Sequence, residues 1–166
     1  PNPLVAGRGF LRLRQAGVRV EVGAGESAAR RLNRPFFSAM RRGRPYVIVK
    51  VATSLDGRVA AAPGAATRLS SPAADRQTHA LRAEVDAVAI GSGTMLADDP
   101  LLTARGVYRS RPLSRVIFDR RLRTPASARM LKTIEAGPVI ILTAPDAPAA
   151  AAEALESAGA QVVRVA

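Results

Sequence analysis

The chain has 166 residues, enough for one domain of ordinary size with room for a fragment of another. Its net charge of +12 invites a nucleic-acid reading, but the basic residues are scattered, aromatics make up only 4%, and neither a stacking platform nor a recognition helix is visible, so anionic small ligands account better for the charge. With no cysteine there is no disulfide framework and no thiolate zinc site, which points to a reducing cytoplasm.

Pro1-Asn2-Pro3 reads as a turn. Residues 9–16 predict a short helix stopped by Gly17, and 18–22 alternate apolar and charged as an edge strand would. Residues 26–42 predict a helix with Leu32, Phe36, Phe37 and Met40 available for burial, broken or kinked at Pro35. Gly43-Arg44-Pro45 reads as a linker. Residues 46–52 form an apolar run that predicts a strand carrying Lys50. Ser54-Leu55-Asp56-Gly57 is a turn, with Asp56 as turn former, and 58–61 predict a short strand. An Ala- and Gly-rich loop over 62–69 leads to Ser70-Ser71-Pro72, which caps a helix over 72–84.

The stretch 86–105, DAVAIGSGTMLADDPLLTAR, carries the densest chemistry. Its run 87–90 predicts a strand buried on both faces. Gly91-Ser92-Gly93-Thr94 predicts a loop whose backbone N–H groups and Thr hydroxyl suit phosphate oxygens. One helical turn later come Asp98-Asp99-Pro100, Leu101-Leu102 and Arg105. A basic loop over 108–112 precedes a strand at 114–119, RVIFD, and the pair Arg120-Arg121. Residues 127–134 predict a helix, 138–143 a strand, 147–158 a helix and 160–165 a last strand. This alternation predicts an α/β fold with a largely parallel sheet. No run reaches the length of a membrane helix, and no signal-peptide pattern is present.

Lys50 stands out because Lys132 is the only other lysine, and an ammonium in an apolar strand either reaches solvent or enters a pocket. Arg82 and Arg105 are each a solvated arginine or an anion grip. His79, the sole histidine, reads as partly exposed and structural.

Taken together, PYVIVKVATSLDGRVA, Ser-Pro at a helix start, LRA, DAVAIGSGT, ADDPLLTAR and RVIFD closely resemble the reductase domain of the bifunctional riboflavin-biosynthesis deaminase/reductase. The resemblance covers residues 45–166. It implies a dihydrofolate-reductase-like three-layer α/β fold with a largely parallel mixed sheet, NADPH as cofactor, and a phosphorylated pyrimidine as substrate. It places Lys50 in the active site against the substrate. Arg82 and Arg105 match positions that hold the substrate's phosphate and ribose, and Leu102 and Ala66 match further substrate contacts. Ala52, Thr94 and Asp98 match cofactor contacts. Arg68 stands where the family commonly has Trp, Ala66 where it commonly has Ser, and Arg120 where a small polar cofactor contact often follows the Asp. Arg120-Arg121 is either a grip for a 2′-phosphate or an exposed basic turn. An ordinary dinucleotide-binding dehydrogenase fits less well, because the glycines lack the full G-x-G-x-x-G pattern.

The resemblance also implies that residues 1–44 are the C-terminal remnant of a cytidine-deaminase-like domain and 45–166 the N-terminal part of the reductase domain. The H-x-E and P-C-x-x-C zinc motifs of such deaminases are absent, so no metal site is expected. The chain starts at Pro1 without an initiator Met, and the family's Glu-Gly-rich cofactor loop is not visible. A fragment of a longer protein is therefore expected, with an apparently truncated sheet whose open edge favours a homo-oligomer. The alternative of another class is a non-enzymatic basic module that binds nucleic acid.

Overall fold

The computed structural model describes residues 2–166, so the first residue of the turn expected at 1–3 lies outside it. The chain divides into two compact units, Pro1–Lys50 and Val51–Ala166.

The first unit is helical. Asn2 starts a turn by accepting the Leu4 N–H on its side chain at 2.9 Å. Helix α1 (Arg8–Gln15) ends with Gly17 at φ 79°, and the Val18 N–H closes back onto the Leu13 carbonyl at 3.0 Å, satisfying an orphaned acceptor of the last turn. The expected long helix is two: α2 (Glu26–Leu32) and α3 (Arg34–Arg42), separated at Asn33. Pro35 sits in the first turn of α3, where its missing N–H costs nothing. None of the three helices buries a residue, and Leu32 stays 83% exposed, so the burial expected of this apolar set is not found within the unit. The most sheltered is Phe37, half-buried under the Arg41 guanidinium at 5.1 Å.

Three expected strands are absent. Residues 18–22, 46–52 and 58–61 carry no ladder hydrogen bonds. Alternation and apolar content make a segment fit for pairing, but a strand exists only beside a partner. The Lys50 segment is accordingly exposed and irregular.

The second unit is built on four parallel strands in the order β1 (Ala87–Gly91), β2 (Ser114–Phe118), β3 (Val139–Thr143), β4 (Gln161–Arg164). Helix α4 (Pro72–Glu84) precedes them, capped by Ser71, whose side chain accepts the Ala74 N–H at 3.3 Å. Helix α5 (Ser92–Asp98) follows β1, a 3₁₀ segment (Arg129–Ala136) follows β2, and α6 (Ala149–Ser157) joins β3 to β4. Pleating sends Ile117, Val139 and Ile141 to one face, where Met95 of α5, Met130 and Leu131 of the 3₁₀ segment, and Leu155 of α6 close over them. That is the core.

The other face of the sheet carries Val116, Phe118, Ile140, Leu142 and Val163, half-buried or exposed. Strand β1, expected to be buried on both faces, is outermost in the sheet and pairs with β2 alone, so Ala87 and Ala89 are exposed. Apolar surface of this extent favours association. Val163→Lys should therefore reduce self-association in sedimentation velocity with a stability change within about 0.5 kcal/mol. Unchanged association would show that this face is not the contact.

Candidate functional site: an arginine-lined recess

Between α4 and the segment 98–105 lies a recess of about 210 Å³ lined by Arg82, Pro100, Leu102, Thr103, Arg105 and Arg129. Helix α5 ends at Asp98, and Asp99 turns the chain at φ 39°. Its carboxylate accepts the Arg129 N–H at 3.0 Å, tying the turn to the start of the 3₁₀ segment. Pro100 then prevents helix continuation. Leu102 is left-handed at φ 53° while its side chain is buried in the core. That conformation costs an L-residue roughly 1 kcal/mol and is held by the packing around it.

The Arg82 guanidinium donates to the Thr103 carbonyl at 3.2 Å. Burial, with the neighbouring Arg105 charge, pushes its pKa below the ordinary value. Three arginines line this recess, and among the described residues that line it there is no carboxylate. Such a constellation fits a multiply charged anion and disfavours a cation. The same C-terminal end of helix α4 is held by Arg109, whose Nη1 donates to the carbonyls of Arg82, Ala83 and Val85 at 2.9, 2.8 and 2.6 Å. A cation over the last carbonyls of a helix satisfies acceptors that the helix itself leaves open.

A second recess, of about 460 Å³, opens at the carboxyl ends of β2, β3 and β4, with Phe118, Leu142 and Val165 as apolar wall and Arg120 and Asp146 at the rim. Asp119 is fully buried there; its Oδ2 takes the Thr124 N–H and hydroxyl, both at 2.7 Å, and its Oδ1 has no partner. Gly91 of β1 pairs with Phe118, and Arg123 donates to the Ser92 hydroxyl at 2.7 Å, so the start of α5 shares this edge of the sheet. Open parallel sheets bind nucleotides at this edge.

The structure thus brings Arg82, Leu102 and Arg105 around one recess and places Arg120 in the other. Thr94 and Asp98 lie on α5, both exposed, and neither lines the arginine recess. The Gly-Ser-Gly-Thr stretch is not an open loop. Gly91 is extended at φ −83°, Gly93 lies inside α5, and the helix starts at once because Met95 is drawn into the core. Ala52 is half-buried and Ala66 exposed, both outside regular structure. Arg68 is ion-paired with Asp75 in the first turn of α4 at 2.6 Å. Asp56 is a turn residue: it accepts from Ser54 and from Arg58. Lys50 closes the first unit, exposed. Sequence reasoning missed Arg129, because no local signal marks an arginine that reaches a loop 24 to 30 residues upstream.

Residues 45–166 match the family model described as RibD C-terminal domain. The chain is 40% identical over 163 residues to the riboflavin biosynthesis protein RibD of Aquifex aeolicus, covering 98% of this chain and 45% of that protein. It is 50% identical over 105 residues to the Escherichia coli protein of the same name, covering 63% of this chain and 29% of that one. The solved structure of Acinetobacter baumannii RibD superposes over all of this chain and 46% of its own length, with TM-score 0.82 at 37% identity. A Thermotoga maritima diaminohydroxyphosphoribosylaminopyrimidine deaminase/5-amino-6-(5-phosphoribosylamino)uracil reductase follows at TM-score 0.77 and 27% identity, covering 99% of this chain and 51% of that one. The chain spans about half the length of the Aquifex, Acinetobacter and Thermotoga proteins.

Proposed function

Since the chain belongs to the RibD C-terminal domain family, we propose that it carries the reductase site for 5-amino-6-(5-phosphoribosylamino)uracil, with NADPH as reductant. The observation that carries this reading is the recess with three arginines and no acidic lining, which suits a phosphomonoester of charge near −2. Arg82 and Arg105 bind the phosphate and ribose, and the backbone at Leu102 orients the sugar. Lys50 brings a compact ammonium to the reacting end. Ala66 and Arg68 approach substrate and cofactor from their loop. Residues 1–44 are then a deaminase-domain remnant and 45–166 the reductase part, a boundary six residues before the division between the two compact units after Lys50.

The second recess fits the cofactor. Phe118 and Leu142 offer an apolar wall for a ring, and Arg120, with Arg121 beside it, offers charge to a 2′-phosphate, set against one rim carboxylate at Asp146. Ala52, Thr94 and Asp98 would complete the wall. When bound, NADPH would supply the hydride for C1′ of the ribosyl group, with the balancing proton on the adjacent nitrogen drawn from solvent. The chain's residues then contribute mainly by holding the sugar in place and excluding water. A homo-oligomer fits the open apolar face of the sheet. No helix among the described residues is long and apolar enough to cross a membrane.

Arg82→Ala and Arg105→Ala test the reading. Each removes a charge-assisted contact worth about 1.5–3 kcal/mol, so KM for the phosphorylated substrate should rise roughly 10- to 100-fold. The rise should shrink on a dephosphorylated analogue. Equal rises on both would place the phosphate elsewhere.

A further inference from the structure

His79 sits half-buried on α4, three residues before Arg82. Its Nδ1 lies 3.2 Å from the backbone nitrogen of Arg105, which donates to it, and its Nε2 lies 3.5 Å from Arg105 Nη2. The Thr103 carbonyl, also 3.2 Å from Nδ1, is already bonded to Arg82. The imidazole is therefore wedged between two of the three arginines that line the recess, Arg82 and Arg105. It meets Arg105 at both the backbone and the guanidinium, although 26 residues separate them in the chain.

We propose that neutral His79 is the positioning residue for Arg105, accepting its backbone N–H and so fixing where its guanidinium enters the recess. This rests on the phosphate reading of that recess. A bond at Nδ1 from an N–H donor requires a lone pair there, so the ring carries its proton on Nε2, and the 3.5 Å approach of Nε2 to Arg105 Nη2 is then a contact between two donors and not a hydrogen bond. An imidazolium has no such lone pair, and it would add a third positive charge beside Arg82 and Arg105. The surroundings hold the ring uncharged. Burial acts first, then the Arg82 and Arg105 charges, and together they push its pKa below the ordinary value of 6.5. The groups facing it are Arg82 and Asp75 on its own helix and Arg105 and the Thr103 carbonyl on the opposing segment; the Thr103 carbonyl and then Asp75 oppose the shift, and Asp75 is itself paired with Arg68.

The sign follows. Because the folded-state pKa is depressed, the neutral ring and its bond to Arg105 are fully present above the ordinary pKa. They are lost as pH falls through the lowered value. Arg105 then loses its backbone anchor, and the anion grip loosens on acidification even though total positive charge rises.

The test is steady-state kinetics on the phosphorylated substrate with the full-length enzyme, comparing wild type, His79→Ala, His79→Asn and Arg105→Ala. Asn places an amide near the Nδ1 position, can accept the Arg105 N–H, and does not titrate. His79→Ala should raise KM about fivefold with kcat within twofold, and His79→Asn should restore KM. On acidification through the depressed His79 pKa, KM of wild type should rise relative to His79→Asn, which cancels the titration of the substrate phosphate itself. The Arg105→Ala arm separates the two levels. If Arg105→Ala raises KM and His79→Ala does not, or if His79→Asn behaves like Ala, the positioning role is wrong while the recess reading stands. If KM falls with acidification in wild type alone, His79 acts as a charge and not as an anchor. If Arg105→Ala leaves KM unchanged, the recess reading itself fails.

Discussion

Arg115→Met should destabilise the second unit by more than about 3 kcal/mol, lowering its Tm by roughly 10 °C. Arg115 is fully buried on β2, in the row that otherwise carries Ile117 and the core. Among the described residues no carboxylate forms an ion pair with it; Glu135 acts on it only through space. Its Nη1 donates to the carbonyls of Leu101 and Met130 at 3.4 and 3.1 Å and to the Thr133 hydroxyl at 2.8 Å. Its Nη2 donates to the Thr133 carbonyl at 2.7 Å and to that of Gly137. The 3₁₀ segment is interrupted at Thr133, where φ is −133°, and this leaves carbonyls with no partner along the helix. One guanidinium collects them and links them to Leu101, beside the arginine recess. Methionine fills the volume but strands several buried acceptors, each costing about 1–3 kcal/mol. Arg115→Lys should recover only part, since an ammonium has three donors and no fork. Thermal and urea unfolding check this. A Tm within a few degrees of wild type for Arg115→Met would mean that water or local relaxation replaces the network.

That network also shows where sequence reading stops. The elements from α4 onward were legible because their signals are local. Ser71-Pro72 caps α4, and strand-length apolar runs broken by turn residues mark β1 to β4. The expectation for the Gly91–Thr94 stretch failed because glycine's freedom is not used there; burial of Met95 outweighs the propensity of two glycines. The strands expected at 18–22, 46–52 and 58–61 failed because pairing depends on a neighbour that the segment's own residues do not encode. Of the residues that line the arginine recess, Arg82, Leu102 and Arg105 could be singled out through the family resemblance. Arg129, His79 and Arg115 act through contacts 14 to 30 residues away, and nothing in their own neighbourhood reports these.

Lys50→Ala should leave stability within about 0.5 kcal/mol of wild type and reduce kcat/KM by about 10²-fold or more. The first half follows from the structure. Lys50 is exposed, outside any helix or strand, and among the described residues it makes no ion pair and no hydrogen bond, so truncation removes no packing. The second half follows from the proposed role, in which its ammonium faces the substrate near the reacting carbon. A charge held where the transition state is polar contributes far more than one in water. Lys50→Arg should not restore turnover, because the planar guanidinium is longer and binds in a fork where a compact point charge is wanted. Lys132→Ala, at the other lysine, exposed on the 3₁₀ segment, is the control for loss of one positive charge and should be kinetically silent. Following NADPH oxidation in the full-length enzyme distinguishes these outcomes. A Lys50→Ala enzyme with near-normal kcat/KM would remove Lys50 from the site, and a loss shared by Lys132→Ala would assign the effect to net charge alone.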